Sequence, residues 1–354
     1  MPEGLAAAVA SAIGAGGGAH VAIDEVVRDG IDYDAFLAHR SVHRIRGTAR
    51  LDGEPVAWSL VEKVTEGPAF ASPYLYDNAR RELAAYTSGL LDDLAPRVRA
   101  PRLHGAHEDA EGRIALWLED VPSPARPLAA DVIVDAARDL GGLAAAWVRR
   151  VPREPWLFTG WIGRHSQAEA IGDGIAVLKR RHPAVVERLG ARLDEVEPLL
   201  HAQSRLRGIL ESLPQTLCHH DAVGANVFPR PDATVLIDWE SVGPGAVGAD
   251  LASLLFASAR RGDASAHDIA AVFEEATDAY AEACAGVVSP AEVRRGRDAA
   301  IGLRWKLAVD VAAALERGEP IRRGSAIAEA PEDAMDELVV LVDVLLDAAA
   351  RALA

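Results

Sequence analysis

Residues 21–64 contain three segments whose pattern of apolar and polar positions predicts β-structure. Residues 21–27, 41–51 and 56–64 are β-branched or alternating, and the turn sequence LDGEP stands between the last two segments. Asp-Gly at the centre of a short connection favours a hairpin. An alanine-rich amphipathic stretch over 5–13 precedes these segments and runs into a glycine cluster that would end a helix. We therefore expect a short helix followed by a small antiparallel sheet.

Helical periodicity appears at residues 78–94, where apolar residues recur at three- and four-residue spacings. The strand-like segments 99–108 and 113–121 follow and would complete the sheet. A proline-rich segment, VPSPARP, occupies 121–127 and is typical of a boundary. Beyond it, the periodicity predicts helices at 129–150, 165–181, 183–212, 248–260, 265–286, 290–317 and 331–353.

One island of strand-like sequence, at residues 215–240, interrupts the helical half. Its two apolar runs, QTLC and TVLIDW, are separated by a loop that contains Asn and Pro, and they predict a small hairpin. The predicted fold class is therefore α+β. A β-rich N-terminal lobe would comprise residues 1–120, a hinge would lie at about 117–122, and residues 121–354 would form a mainly helical C-terminal lobe.

The composition indicates a folded globular protein and limits its partners. The 354 residues are 50% hydrophobic and 25% charged, which excludes disorder and fibrous structure. Two cysteines, Cys218 and Cys284, are too few for a disulfide framework or a thiolate zinc site. A net charge of −16 has the wrong sign for binding nucleic acid and suits a cationic small molecule. No apolar stretch is long enough for a membrane helix, and the first residues lack the basic flank of a signal peptide, so we expect a cytoplasmic protein.

The candidate chemistry lies in the strand-like island and just after it. Asp221 and Asn226 stand five residues apart in HHDAVGAN, Asp238 follows an apolar run in IDWE, and Asp250 stands in GADLASLL. A phosphoryl transfer needs a carboxylate that takes or orients the proton of the nucleophile, and hard oxygen ligands that hold Mg²⁺ on the nucleotide phosphates. A buried, unpaired Asp238 would cost free energy, which favours a ligand role. Glu240 is either a further carboxylate near the metal or a surface charge at the end of a strand.

These motifs resemble those of the aminoglycoside phosphotransferase and choline kinase family, whose fold is the two-lobed protein-kinase-like one. HHDAVGANV is similar to the family's catalytic loop and IDWES to its metal motif. The resemblance implies that Asp221 is the catalytic base, that Asn226 and Asp238 bind Mg²⁺, and that Asp250 braces the catalytic loop through its backbone. We interpret His219 as a packed loop histidine that supports the structure.

The resemblance extends to the N-terminal lobe. Lys63, in the strand-like segment VAWSLVEKV, resembles the lysine that contacts the nucleotide phosphates, and Glu82 resembles its ion-pair partner. A register shift of one residue would place Glu62 on that face instead. The segment ALWLEDV resembles the hinge that receives the adenine, which makes Glu119 and Val121 candidate nucleotide-binding residues.

Three positions depart from the family pattern. His220 stands where relatives have glycine, and we expect it to change packing without abolishing chemistry. Val223 replaces the His or Lys of many relatives, which would lose a cation near the transferred phosphate. The segment DGIDYDAFLAHRS has no glycine cluster over the phosphates, and Phe36 and Leu37 would add bulk there.

The resemblance implies an ATP- and Mg²⁺-dependent kinase that phosphorylates a hydroxyl of a small polar molecule. An aminoglycoside or another cationic antibiotic is the first candidate acceptor. Acidic residues on two predicted helices could bind its amines or could equally be solvated: Glu274, Glu275, Asp278, Glu282, Asp310 and Glu316. The alternative is a catalytically degraded kinase-like module that binds a nucleotide or regulates a partner.

Overall fold

The computed structural model describes residues 4–16, 20–31, 40–65, 80–163, 168–321, 323 and 331–354. The chain divides into two compact units, Met1–Asp93 with Arg99–Ser123 and Leu94–Val98 with Pro124–Ala354. The predicted lobe boundary falls after residue 120, and the main stretch of the second unit begins at Pro124. In the residues described, no helix has both the length and the apolar character needed to cross a bilayer.

The first unit contains a five-stranded antiparallel sheet in the order β1–β2–β3–β6–β5. Asp52 and Gly53 form the turn between β2 and β3, both with positive φ, as the Asp-Gly sequence predicts. The prediction of an antiparallel sheet is confirmed. The strands of this sheet are β1 (Val21–Gly30), β2 (Arg40–Leu51), β3 (Glu54–Thr65), β5 (Leu103–Glu108) and β6 (Ile114–Glu119). The short β4 (Val98–Arg99) precedes β5 and lies outside this sheet.

Two helices cover opposite faces of this sheet. Helix α1 (Leu5–Ala12) packs its apolar residues against Ile45, Leu60 and Trp117. Helix α2 (Arg81–Thr87) places Leu83 and Tyr86 against the other face, where Ile114, Leu116 and Leu118 are buried. The described part of the predicted helix 78–94 is shorter than expected, since Gly89 adopts a positive φ and a 3₁₀ turn, Leu90–Asp92, follows it. Residues 78 and 79 lie outside the described residues.

The second unit is mainly helical, as predicted. Its helices are α3 (Ala130–Trp147), α4 (Ala168–Lys179), α5 (Pro183–Leu189), α6 (Leu193–His201), α7 (Gln203–Ser212), α8 (Ala249–Leu251), α9 (Ser258–Arg261), α10 (Ala266–Ala283), α11 (Pro290–Gly302), α12 (Lys306–Arg317) and α13 (Pro331–Leu353). Three predicted helices are interrupted. Gly190, at φ 55°, ends α5 and begins the 3₁₀ turn Gly190–Arg192 that leads into α6, and residues 303–305 separate α11 from α12. A π-helical segment, Ala252–Ala257, lies between α8 and α9.

The strand-like island folds differently from the predicted hairpin. Its first run, β7 (Gln215–Cys218), pairs with β10 (Gly243–Ala246), while β9 (Thr234–Leu236) pairs with β8 (Val227–Pro229). The sequence GPGA of β10 has little β-propensity. Gly243 is needed there because a Cβ at this position would overlap the backbone of Phe158. The prediction that the two apolar runs pair with each other is therefore wrong.

Candidate active site

Asp221 and Asn226 are linked side by side in the loop that follows β7. The Asn226 side-chain amide donates to the backbone carbonyl of Asp221 at 2.8 Å and to its carboxylate Oδ2 at 3.0 Å. Both amide hydrogens are thus used, so the amide oxygen of Asn226 is the remaining side-chain atom that can ligate a metal. Asn226 closes a 3₁₀ turn, Gly224–Asn226, and is only 3% exposed.

Ile237 connects this loop to Asp238, the second candidate metal ligand. The Ile237 N–H donates to the carbonyl of Asn226 at 3.1 Å, and Nε2 of His219 lies 3.0 Å from the carbonyl of Ile237. Asp238 follows directly with a left-handed backbone, φ 64° and ψ 64°, and is 9% exposed. The loop of Asp221 and the end of β9 are therefore held together by hydrogen bonds to both backbone groups of Ile237, its N–H and its carbonyl. Glu240 lies two residues further, in a 3₁₀ turn, and is partly exposed.

Asp250 braces the backbone of the loop that carries Asp221. Its Oδ2 accepts the N–H of His219 and its Oδ1 accepts the N–H of His220, both at 2.8 Å. Burial raises the pKa of the Asp250 carboxyl, and the two N–H donors act in the opposite direction. A buried carboxylate with both oxygens engaged in this way fixes the backbone N–H groups of the two residues that precede Asp221.

Two glycines allow the chain before Asp250 to lie directly against α11. A Cβ at Gly248 would overlap the carbonyl oxygen of Val293, and a Cβ at Gly296 would overlap the carbonyl oxygen of Val247. Gly248 also adopts φ 81°, a conformation that side chains disfavour. Backbone therefore packs on backbone at this point, which sets the position of α8 and of Asp250 at its start.

His219 is fully buried and has partners on both ring nitrogens. Nδ1 accepts the N–H of Asp221 at 3.3 Å, so Nε2 carries the proton that it donates to the carbonyl of Ile237. The ring also packs edge-on against Trp239, with centroids 4.6 Å apart. This arrangement suits a neutral imidazole that holds the loop.

His220 occupies a backbone conformation that the sequence did not reveal. Its φ is 63°, in the left-handed region that favours glycine. The ring stacks on Trp161 with centroids 5.3 Å apart, and its Nε2 lies 3.0 Å from the carbonyl of Pro244. The signal for a positive φ lies in the motif that the sequence resembles, which has glycine at this position. Val223, the other departure on this loop, is 1% exposed, so a cation at that position would be buried.

In the first unit, Lys63 and Glu82 form a buried ion pair. Lys63 Nζ lies 2.6 Å from Glu82 Oε2, with side-chain exposures of 8% and 7%. Lys63 is on the face of β3 that α2 covers. Glu62 points to the opposite face, where it pairs with Arg28 at 2.8 Å and accepts a hydrogen bond from Trp117 Nε1 at 3.1 Å.

Glu119 and Val121, at the end of β6, already have partners within the first unit. The Glu119 carboxylate pairs with Arg99 at 2.6 Å and accepts the N–H of Arg102 at 3.0 Å. Burial alone would raise the pKa of Glu119, but these donors outweigh it and hold the pKa below its ordinary value. The Val121 N–H donates to the carbonyl of Glu119, and the Val121 side chain is buried.

Most of the acidic residues proposed to bind amines are paired with arginines. Glu274 pairs with Arg297 and Asp278 with Arg294, while Asp310 pairs with Arg260 and Glu316 with Arg180. These pairs neutralise much of the charge that the sequence places on these helices. Phe36 and Leu37, which we expected near the nucleotide, lie outside the described residues.

The oxygen atoms of Asn226 and Asp238, in the second unit, are ligands of the kind that fits a magnesium ion. Mg²⁺ prefers oxygen ligands from carboxylates and amides. Asn226 presents its amide oxygen because its nitrogen is engaged by Asp221, and Asp238 supplies a nearly buried carboxylate.

A sequence model described as "Phosphotransferase enzyme family" matches residues 39–284 of the chain. No curated protein matches the sequence.

Among solved structures, three similar folds each superpose with a TM-score of 0.50. An ethanolamine kinase from Plasmodium vivax is 12% identical, covering 91% of this chain and 82% of that one. A choline kinase from Cryptosporidium parvum is 11% identical, covering 91% and 88%. An aminoglycoside phosphotransferase from Alicyclobacillus acidocaldarius is 14% identical, covering 92% and 91%. At these identities the likeness shows the fold, which is kinase-like as predicted.

Proposed function

Because the chain belongs to the phosphotransferase enzyme family, we propose that it transfers the γ-phosphoryl group of ATP to a hydroxyl of a small polar molecule. The observation that carries this proposal is the double hydrogen bond from Asn226 to Asp221. This double hydrogen bond fixes the distance between the two residues, which supports Asp221 as the base and Asn226 as a metal ligand.

In the proposed reaction, the hydroxyl oxygen of the acceptor attacks the γ-phosphorus, and the Asp221 carboxylate accepts the proton of that hydroxyl. The bond from that phosphorus to the bridging oxygen breaks, and ADP leaves. Asn226 and Asp238 would hold Mg²⁺, which neutralises phosphate charge when bound. Lys63, oriented by Glu82, would contact the nucleotide phosphates, and the segment of Glu119 and Val121 would contribute to nucleotide binding.

An aminoglycoside or another cationic hydroxyl compound is the first acceptor that we propose, on the strength of the net charge of −16. Because most acidic residues on these helices pair with arginines, they are less suited to form a specific binding site for amines. The acceptor panel should therefore include aminoglycosides, choline, ethanolamine and neutral sugars.

The test combines nucleotide binding with product detection. Mg·ATP should raise the melting temperature, because a ligand that binds only the native state stabilises it by RT ln(1 + [L]/Kd). Each acceptor is then incubated with Mg·ATP, and ADP release is compared with the mass of the acceptor, which rises by one phosphoryl group if transfer occurs. No binding at millimolar ATP, measured by calorimetry, would contradict the proposal.

A nucleotide-binding module without transferase activity is the second candidate. The buried Val223 favours it, because a cation that could stabilise the transition state is replaced there by an apolar side chain. Nucleotide binding without transfer to any acceptor would support this alternative.

A further inference from the structure

Arg126 lies in the proline-rich segment that precedes α3, and it contacts the loop that carries Asn226. Its Nη1 donates to the carbonyl of Gly224, and its Nη2 donates to the carbonyls of Ala225 and Val227, both at 3.1 Å. One guanidinium thus binds three backbone oxygens on both sides of Asn226 in the chain.

These contacts complete the hydrogen bonding of a short turn. The carbonyls at the end of a helical turn have no partners within it. In the turn Gly224–Asn226, Arg126 satisfies the carbonyls of residues 224, 225 and 227, and the Ile237 N–H satisfies the carbonyl of Asn226. The Val227 N–H also donates to the carbonyl of Gly224. Every backbone oxygen from 224 to 227 therefore has a donor, and Arg126 supplies the donor for those of residues 225 and 227.

The same turn is closely packed where it begins. The Gly224 N–H donates to Ser258 Oγ at 2.7 Å, and a Cβ at Gly224 would approach Cβ of Asp263 to 2.7 Å. Burial lowers the pKa of Arg126, and the Asp263 carboxylate opposes this shift by favouring the charged guanidinium. The guanidinium also lies 5.5 Å from the ring centroid of Phe228. Arg126 is therefore held by charge and packing as well as by the carbonyls.

We propose that Arg126 is a positioning residue for metal binding: it fixes the turn so that the amide oxygen of Asn226 is aimed at Mg²⁺. The inference rests on the proposed function, because it concerns the metal ligand of that site. Lysine keeps the charge but lacks the planar fork that donates to several carbonyls at once. In Arg126→Lys, the lysine should therefore be unable to hold the turn in place.

The experiment measures Mn²⁺ binding by electron paramagnetic resonance in the presence of AMP-PNP, with no acceptor and no turnover. Wild-type protein is compared with Arg126→Lys, Arg126→Gln, Asn226→Ala and the double variant Arg126→Lys/Asn226→Ala. Arg205→Lys is the control, because Arg205 also donates to a backbone carbonyl, that of Leu353, but on the exposed surface. Loss of a partner that orients a metal ligand weakens metal affinity by about 10- to 100-fold.

We expect Arg126→Lys and Arg126→Gln to weaken Mn²⁺ binding by about 10- to 100-fold. Arg205→Lys should leave Mn²⁺ binding unchanged. Because Arg126 acts through Asn226, the double variant should bind Mn²⁺ no more weakly than Asn226→Ala alone. Wild-type Mn²⁺ affinity in both Arg126 variants, or losses that add in the double variant, would overturn the role of Arg126.

Amide hydrogen exchange provides a measurement that does not depend on the metal. In Arg126→Lys, peptides that cover residues 222–229 should exchange faster, and those in α10 should be unchanged. Unchanged exchange in the loop would overturn the proposal. Wild-type protein that binds no Mn·AMP-PNP would instead overturn the proposed function, and that result is seen without any variant.

Discussion

Asn226 donates both hydrogens of its side-chain amide to Asp221, one to the backbone carbonyl and one to the carboxylate. The proposed base and the proposed metal ligand are therefore not independent. A change in the orientation of Asn226 moves a hydrogen-bond donor of the Asp221 carboxylate. We infer that metal binding and the orientation of the base are coupled through this one side chain.

Asp221→Asn should slow transfer strongly and preserve nucleotide binding. Asparagine keeps an oxygen that can accept the bond from Asn226, but it cannot take the proton of the acceptor hydroxyl. Loss of a positioned base costs about 10²-fold or more in rate. The check is the rate of ADP release with the acceptor, beside calorimetry of Mg·ATP binding, with Asp232→Asn in the exposed β8–β9 turn as control. Equal rates in Asp221→Asn and wild type would contradict a role as base.

Removing one member of the Lys63–Glu82 pair should destabilise the protein strongly. Exposed ion pairs contribute little to stability, but both of these side chains are buried. A buried charge left without its partner costs about 3–5 kcal/mol. Lys63→Met and Glu82→Gln should each lower the free energy of unfolding by this order. The double variant should lose less than the two single losses together, as measured by urea denaturation; additive losses would argue against a coupled pair.

The backbone of His220 predicts an unusual order of stability among variants. A left-handed conformation costs a non-glycine residue about 1–2 kcal/mol. His220→Gly and His220→Ala both lose the stacking on Trp161 and the hydrogen bond to Pro244, but only glycine is free of this cost. We therefore expect His220→Gly to be more stable than His220→Ala by about 1–2 kcal/mol, measured by chemical denaturation. The opposite order would mean that residue 220 does not have a positive φ.

Glu119 should contribute stability that is lost in acid. The folded state holds its pKa below the ordinary value of 4.5, because the donors of Arg99 and Arg102 outweigh the effect of burial. Its stabilising contribution is therefore complete above pH 4.5 and disappears as the pH falls through the lower pKa of the folded state. Melting temperatures between pH 6 and 3 should fall less steeply in Glu119→Gln than in wild type. Glu111→Gln, at an exposed position of the same unit, is the control and should follow wild type.

The sequence predicted features that depend on local pattern and missed those that depend on distant partners. Alternation and the Asp-Gly turn predicted β2 and β3 correctly, and apolar spacing predicted the helical half. The pairing of β7 with β10 was missed because GPGA carries no strand signal and is held by its neighbours.

The candidate site shows the same division. The spacing of Asp221, Asn226 and Asp238 along the chain suggested their roles before any contact was known. The bonds of Arg126 to the carbonyls of residues 224, 225 and 227 span about a hundred residues of sequence and involve backbone atoms, which have no residue-specific signature. The left-handed His220 was missed because histidine itself does not indicate that conformation.

The close approach of Gly248 to the carbonyl of Val293, and of Gly296 to the carbonyl of Val247, limits which residues these two positions can hold. Two stretches of main chain touch there with no space for a methyl group on either side, so volume excludes a side chain at both positions, and at Gly248 the positive φ excludes it as well. A library of all residues at 248 and 296, selected for folded protein, should return glycine at both. Because α8 begins one residue after Gly248, even an alanine would act at a distance: it would displace the carboxylate that holds the loop of Asp221 without altering any residue of that loop.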